Sequence, residues 1–207
     1  MVTARATTRS YSSPARRERR NQTQVAILKA AETMFKARGY SAATMQGVAD
    51  SAGVSLPTVY LYFRSKPDLI RSLADLVTSS ADLSVEHVLA ETDAKRQLEI
   101  GAGILRALHE RSEVVADVLR SASGADPKVS WEWKRWQERH LAAVGAVARS
   151  LAKRRALRRD LDVASATDIL YAIGGPDTFR QLVRERGWTS ERYERWLGEA
   201  GRRLLLL

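Results

Sequence analysis

Apolar residues along the chain recur every three or four positions rather than at every second one. This spacing places them on one face of a helix, whereas a half-buried strand would show strict alternation. The first helix is predicted from about Thr23 to Arg38, and Gly39 should end it. Its apolar face consists of Ile27, Leu28, Ala31, Met34 and Phe35. No alternating strand pattern and no Asn-Gly hairpin turn interrupts this periodicity, so the predicted fold class is all-α.

The same periodicity continues to the end of the sequence. A fourth helix is predicted from about Lys66 to Leu89, with Leu69, Ile70, Leu73, Leu76 and Val77 on its inner face. Later helices are predicted at about 95–111, 113–122, 128–156, 162–186 and 189–206, which gives about nine helices in all. The Gly174-Gly175-Pro176 sequence should kink or break the helix that contains it.

The stretch from Thr44 to Lys66, TMQGVADSAGVSLPTVYLYFRSK, predicts two short helices joined by a tight corner. Ala49 is small enough for two steeply crossing helices to approach each other, and Gly53 tolerates the positive φ that such corners need. Ser55 is a suitable N-cap for the second helix, and Pro57 falls in its first turn, where a missing N–H costs nothing. The inside of the corner should be filled by Val48, Val54, Val59 and Phe63. The pattern is typical of a helix-turn-helix that reads the DNA major groove.

The same stretch resembles the DNA-binding signature of the tetracycline-repressor (TetR) family over roughly the first third of the chain. The matching positions are Thr44, Val48, Ala49, Gly53, Val54, Ser55, Thr58, Val59, Tyr60, Tyr62, Phe63, Ser65 and Lys66. The resemblance implies a three-helix DNA-binding domain followed by a helical ligand-binding and dimerisation domain. The expected division is a disordered basic arm at 1–20, a helix-turn-helix domain at 21–66 and an effector-binding and dimerisation domain at 67–207.

The charge distribution agrees with a DNA-binding N-terminal region. The formal net charge is +10, and residues 1–70 hold 11 Lys and Arg against 4 Asp and Glu, a net charge of +7. An excess of positive charge beside a groove-reading motif is the expected footprint of a nucleic-acid-binding protein. Four arginines precede the first helix, namely Arg16, Arg17, Arg19 and Arg20. They are expected either to follow phosphates or to enter the minor groove, and the alternative is a solvated tail.

On the second helix of the corner, positions 57, 60, 61 and 64 share a face that would enter the groove, while Val59 and Phe63 point inward. The resemblance implies that Tyr60, Tyr62, Lys66 and Thr44 contact phosphates. Base reading would then fall to Gln46, Ser55, Leu56, Pro57, Thr58 and Leu61. Many family members carry Lys and Gly where this chain has Leu56 and Pro57, and His where it has Tyr62, so no operator sequence can be carried over. Tyr62 could instead be half-buried core, and Thr44 only a cap.

In the C-terminal part, the resemblance implies a cavity for a small-molecule effector. Trp133, Trp136, His140 and Val144 share one helix face, and Leu105 and His109 lie on another helix; these six residues are the candidate lining. The alternative is that this aromatic stripe is ordinary core. The resemblance also implies a homodimer formed by the last two helices. The candidate interface consists of Leu170, Ile173, Leu182, Tyr193, Trp196, Leu197, Ala200 and Leu204, unless this seam closes the core of the single chain.

Signs of enzymatic chemistry are missing from the sequence. His87, His109 and His140 are far apart, the chain has no cysteine, and no phosphate-binding loop or nucleophile elbow occurs. We therefore expect no metal, no cofactor and no catalytic site, and neither a secretory signal nor a membrane span, which favours a cytoplasmic protein. The leading hypothesis is a dimeric transcriptional repressor that a small molecule releases from a palindromic operator. The alternatives are an architectural protein that binds DNA without sequence preference and, less favoured, a helical enzyme.

Overall fold

A computed structural model describes residues 14–79 and 84–207. Within these ranges the regular structure is helical and contains no strand, and the only β-type pairing is an isolated bridge between Leu157 and Leu206. The all-α prediction is therefore confirmed. The α-helices are α1 (Pro14–Ala42), α2 (Met45–Ala52), α3 (Leu56–Tyr62), α4 (Lys66–Thr78), α5 (Val85–Ala90), α6 (Ala94–Ala122), α7 (Pro127–Lys153), α8 (Val163–Gly174), α9 (Pro176–Phe179) and α10 (Ser190–Leu205). A π-helical segment (Arg180–Glu185) follows α9 directly.

The chain divides into two compact units, of which the first ends at Lys66 and the second begins at Pro67. In the first unit, α1 packs on α2 and α2 packs on α3. Its buried side chains are Ile27, Leu28, Ala30, Ala31, Phe35, Tyr40, Ala43, Val48, Ala49, Val59 and Phe63. Every apolar position that the sequence assigned to the inside of α3 is therefore buried, and this core fixes the direction in which α3 faces outward.

The second unit is built on the two long helices α6 and α7, with α10 packed along α6 and α8 packed along α7. One buried cluster joins α6, α7 and α8, and a second one joins α6 to α9 and α10. An ion pair between Arg106 of α6 and Glu194 of α10, with 2.6 Å between Nε and Oε2, reinforces the second contact. The space between α5, α6 and α7 is not completely filled, and this is the origin of the cavity described below.

The start of the first helix was predicted wrongly. It begins at Pro14 rather than near Thr23, so residues 14–20 are helical and not disordered; the rest of the expected arm lies outside the described residues. The physical reason is local, because this segment consists mostly of Ala, Arg and Glu, which favour helix, and Pro is well suited to the first helical position. The side chains of Glu18 and Gln22, one turn apart, are hydrogen bonded at 3.1 Å.

Two helix boundaries in the second unit also differ from the prediction. The fourth helix ends at Thr78 instead of reaching Leu89, and the separate short helix α5 follows. The predicted helices at 95–111 and 113–122 are one continuous helix. Ser112 lies in the middle of this helix with a buried side chain and does not cap a new one. The break at Gly174-Gly175-Pro176 is confirmed: α8 ends at Gly174 and α9 begins at Pro176.

Candidate nucleic-acid interface and helical cavity

The corner between α2 and α3 is held by side chains that bond to the helix ends. The hydroxyl of Thr44 accepts a hydrogen bond from the Gly47 N–H at 3.0 Å, and the hydroxyl of Ser55 accepts one from the Thr58 N–H at 3.3 Å. Gly53 lies in the left-handed region with φ of 66°, where a Cβ would be strained, and its N–H closes the end of α2. Both predicted caps and the predicted role of the glycine are confirmed.

The outward face of α3 combines a phenol with apolar groups. Tyr60 and Leu61 are 48% and 76% exposed, and Pro57 is also exposed, whereas Val59 is fully buried. The face predicted to enter the groove is therefore the face that α3 presents to solvent.

Other predicted DNA contacts have intramolecular partners. The Gln46 amide nitrogen donates to the Asp50 carboxylate at 2.7 Å, and the Thr58 hydroxyl is 2.7 Å from the Ser55 hydroxyl. Gln46 and Asp50 are one turn apart on α2, and Ser55 and Thr58 lie at the start of α3. In both pairs a DNA group can replace the intramolecular partner. Leu56 is half-buried, as Tyr62 is, and the ring of Tyr62 lies beside Phe63 and under the guanidinium of Arg20 at 5.9 Å.

Lys66 has a structural role that the sequence did not reveal. Its ammonium donates to the backbone carbonyls of Tyr40 and Ser41 at 2.7 and 3.3 Å and lies 4.4 Å from the centre of the Tyr40 ring. These carbonyls lie just after Gly39, whose φ of 73° and ψ of 170° interrupt α1, so the ammonium satisfies acceptors where the helical bonding pattern is broken. Lys66 thus caps α1, and a phosphate contact from it stays a prediction.

The four arginines of the expected arm lie on the first two turns of α1. Arg16, Arg17, Arg19 and Arg20 are all exposed, so these turns carry a dense positive charge. Helical structure makes their spacing fixed, unlike that of a flexible tail. The extended minor-groove insertion considered for these residues is therefore less suited to the structure than phosphate contact along a helix.

A cavity of about 420 Å³ lies between α5, α6 and α7. Five of the six predicted effector-pocket residues line it, namely Leu105, His109, Trp136, His140 and Val144. Trp133 does not: it lines a smaller neighbouring space of about 130 Å³ together with Trp136, His140 and Tyr171. The remaining walls are largely aliphatic, and the main aliphatic side chains are Val85, Val88, Ile104, Leu108 and Val147.

The two histidines of the cavity are uncharged at neutral pH. Burial lowers the pKa of His109 to about 4, although a hydrogen bond of 2.9 Å between its Nε2 and the Gly174 carbonyl partly opposes this. Burial also lowers the pKa of His140, again against the effect of a backbone carbonyl, that of Tyr171. The Nε2 atom of His140 is enclosed and has no hydrogen-bond partner.

One rim of the cavity carries polar groups that sequence reasoning missed. Arg139 lines the cavity and donates to Thr78 at 2.9 Å and to the carboxylate of Asp75 at 3.0 Å. Arg135, one turn earlier on α7, bonds to the same carboxylate at 2.9 Å. These bonds connect the C-terminal end of α4 with α7. Charged residues sixty positions apart give no local signal, which is why only the fold reveals them.

The predicted dimer seam is partly wrong. Leu170, Tyr193 and Leu197 are buried inside their own unit, where Tyr193 packs against Phe179 with the ring planes at 90°. These three residues close the core of the single chain, as the alternative interpretation of the seam stated, and are not available to a partner. The rest of the predicted set is at least partly exposed and consists of Ile173, Leu182, Trp196, Ala200 and Leu204.

Among the described residues, no group of three or more His, Asp or Glu side chains is arranged to hold a metal ion. None of the helices in the same part of the chain is long and apolar enough to cross a membrane.

A capped corner with an exposed reading face on α3, next to arginine-rich turns of α1, defines a helix-turn-helix DNA-binding protein. Residues 27–73 match the sequence model of the family described as "Bacterial regulatory proteins, tetR family". Over this segment the chain is similar to TetR-family regulators, and the match includes α2, α3 and the first part of α4.

Relatives of known sequence are similar over most of their length. The HTH-type transcriptional regulator EthR of Mycobacterium tuberculosis is 25% identical over 79% of this chain and 77% of its own. The regulator YdeS of Bacillus subtilis is 29% identical over 81% of this chain and 82% of its own. Among solved structures, the SmeT–triclosan complex has a TM-score of 0.75 at 16% identity, covering 90% of this chain and 92% of SmeT. A Saccharomonospora viridis regulator in complex with choline has a TM-score of 0.72 at 20% identity, covering 90% and 99%.

Proposed function

We propose that this protein is a homodimeric cytoplasmic repressor that binds a two-fold symmetric operator and leaves it when a small molecule enters the α5–α6–α7 cavity. The observation that carries the proposal is the position of this cavity. One of its walls is Arg139, the residue that bonds to Asp75 and Thr78 at the end of α4. Related proteins support a ligand-binding role, since SmeT and the Saccharomonospora viridis regulator were solved with triclosan and choline.

The route from the cavity to DNA is short along the chain. α4 begins at Lys66, four residues after the end of α3, so a movement of α4 is transmitted to the reading helix through few residues. The Asp75 carboxylate accepts hydrogen bonds from Arg135 and Arg139 of α7, and the Thr78 hydroxyl accepts one from Arg139. A ligand that displaces Arg139 therefore removes bonds that fix α4. A dimer reads two half-sites with fixed spacing, so a small shift of α4 in each subunit lowers operator affinity.

The dimer would use what the second unit leaves exposed on its last helices. Ile173 of α8 and Trp196, Ala200 and Leu204 of α10 are partly exposed, and Leu204 is 39% exposed. α8 and α10 are neighbours in the second unit, so these side chains can form one apolar surface. The same surface of a second copy, related by a two-fold axis, would cover it.

The test is fluorescence anisotropy with DNA from upstream of the protein's own gene, at near-physiological salt with excess nonspecific duplex. Binding to a palindromic site should survive the competitor and should weaken for Tyr60→Phe, which removes one exposed hydroxyl from α3. The matched control is Tyr171→Phe, the same change on α8. If every duplex competes equally, the architectural alternative is correct. A gene deletion that lowers expression of the neighbouring operon would contradict repression.

A further inference from the structure

We propose that the effector is an uncharged molecule with an apolar body and one hydroxyl group, an alcohol or a phenol, whose hydroxyl bonds to His140. This inference rests on the proposed function, because it takes the α5–α6–α7 cavity as the effector site. It is carried by the shape and chemistry of the cavity, which select for apolar surface, against net charge and for a single hydrogen-bonding group.

The apolar requirement follows from the walls. Aliphatic side chains of all three helices surround the cavity, among them Val88 of α5, Ile104 and Leu108 of α6, and Val147 of α7. Its volume of about 420 Å³ lies at the small end of the range for sites that bind small molecules. An eight-carbon chain or a short alkyl phenol fits such a volume. Water in the same space would find few partners, so an apolar body displaces it favourably.

The selection against charge follows from the ionised groups that face the cavity. Arg139 is already bonded to Asp75 and Thr78, and Glu86 accepts a hydrogen bond from Ser84 at 2.6 Å at the exposed rim. No unpaired cation is therefore offered to a carboxylate or a phosphate by the described residues that line this space. An ammonium group could reach only Glu86, where water weakens the ion pair. Deeper in the cavity any charge would lose its hydration without compensation.

The single hydrogen-bonding group is required by His140. His109 uses Nε2 on the Gly174 carbonyl, whereas Nε2 of His140 has no partner. His140 lines both the main cavity and the smaller one beside it, so its ring is within reach of a ligand in either space. The Tyr171 carbonyl accepts a hydrogen bond from this ring, and because Nε2 has no partner, the donor is Nδ1. Burial keeps the ring neutral by lowering its pKa, so Nε2 carries no hydrogen and is an acceptor. A ligand hydroxyl can donate to it, whereas a carbonyl or an ether has no hydrogen to donate.

The experiment compares three probes with the same eight-carbon chain, namely octanol, octanoate and octylammonium, on the full-length protein at neutral pH. Binding is followed by tryptophan fluorescence, because Trp136 lines the cavity, and by the rise in melting temperature. Octanol is expected to bind at least about tenfold more tightly than either charged probe, since each must desolvate a charge. Equal or tighter binding of octanoate or octylammonium would overturn the inference, and so would a failure of octanol to bind below its solubility limit.

Two variants test the contact with His140. His140→Phe keeps a ring of similar size and removes the nitrogen atoms, so the affinity for octanol should fall roughly three- to tenfold. His87→Phe is the matched control, because this exposed imidazole on α5 does not line the cavity, and its affinity should be unchanged. Wild-type affinity for octanol in His140→Phe would refute the contact. The ranking of the three probes on wild-type protein decides the ligand class even if this variant does not fold.

Operator binding separates this inference from the function on which it rests. If the protein binds its operator and octanol binds the protein without releasing the DNA, the effector role of the cavity is wrong, although the ligand class stands. If operator binding is intact and the charged probes bind best, only the ligand class is wrong.

Discussion

Replacing Lys66 with Met should destabilise the N-terminal unit before it changes any contact with DNA. The Lys66 ammonium bonds to the Tyr40 carbonyl at 2.7 Å, and this bond is partly buried. The second bond, to the Ser41 carbonyl, is exposed and longer, at 3.3 Å. Met keeps most of the length and the apolar stem of the side chain, so the change removes the charge and the donor hydrogens with little effect on packing.

The magnitude follows from these contacts. A hydrogen bond to a charged group contributes ~1.5–3 kcal/mol, and a cation–π contact at a partly exposed site contributes ~0.5–1 kcal/mol. Water can replace the ammonium at the exposed Ser41 carbonyl, so only the bond to Tyr40 and the ring contact count in full. The free energy of unfolding of the first unit should therefore fall by about 2–4 kcal/mol.

Hydrogen exchange measures this quantity for the first unit alone, which matters because two compact units need not unfold together. The buried Val48 and Val59 amides should exchange faster in Lys66→Met by the corresponding factor. The control is Arg64→Met, an exposed residue for which a change below ~0.5 kcal/mol is expected. Unchanged protection in Lys66→Met would refute the capping role. If Lys66 also neutralises a DNA phosphate, the slope of log affinity against log salt should become shallower by about 0.9 in this variant.

Three further changes test other parts of the structure. Asp75→Asn removes both ion pairs between α4 and α7, and their exposure limits the decrease in stability to about 1 kcal/mol. Operator affinity measured by anisotropy should nevertheless fall, and unchanged affinity would contradict the proposed transmission from the cavity through α4 to α3. The pKa of His109 is about 4 in the folded chain and 6.5 in the unfolded chain, so the unfolded chain binds the proton first as pH decreases. Stability measured in denaturant titrations should therefore fall below pH 6.5, by about 2 kcal/mol at pH 5. A flat profile would show that His109 is not buried as described. Val59→Ala should lower the free energy of unfolding by about 2 kcal/mol in the same titrations, and Leu61→Ala by less than ~0.5, although Leu61→Ala should alter operator preference. Equal costs would contradict the inward orientation of Val59.

The reading corner could be predicted from the sequence because its determinants are local. Thr44 and Ser55 each bond to a backbone N–H three residues away, and Gly53 turns the chain at one position. A few adjacent residues therefore encode the whole feature. The start of α1 is local too, yet the prediction missed it. Residues 1–20 as a whole are rich in Ser, Thr and Arg and poor in apolar residues, which favours disorder, whereas residues 14–20 taken alone favour helix.

The contacts between residues far apart in the sequence could not be predicted in this way. Lys66 and Tyr40 are 26 positions apart, and Asp75 and Arg139 are 64 apart. The local sequence does not distinguish an exposed lysine from one that bonds to a distant helix, because the difference is only in how the helices pack. The cavity had a partial signal, since four of its predicted residues share one face of α7, but that face does not say whether the space in front of it is filled. Trp133 lies on the same face and still lines a different space.

The dimer seam shows why an amphipathic pattern alone does not decide between a core and an interface. Burial against the same chain and burial against a second copy require the same apolar spacing. On α10, Tyr193 and Leu197 face α6 and α9, while Trp196 and Ala200 lie at the edge of that buried face. If a second copy covers this edge, Ala200→Arg should weaken self-association and operator binding together without unfolding the chain. The same substitution at Leu197 should unfold the second unit instead, since its side chain has no route to solvent.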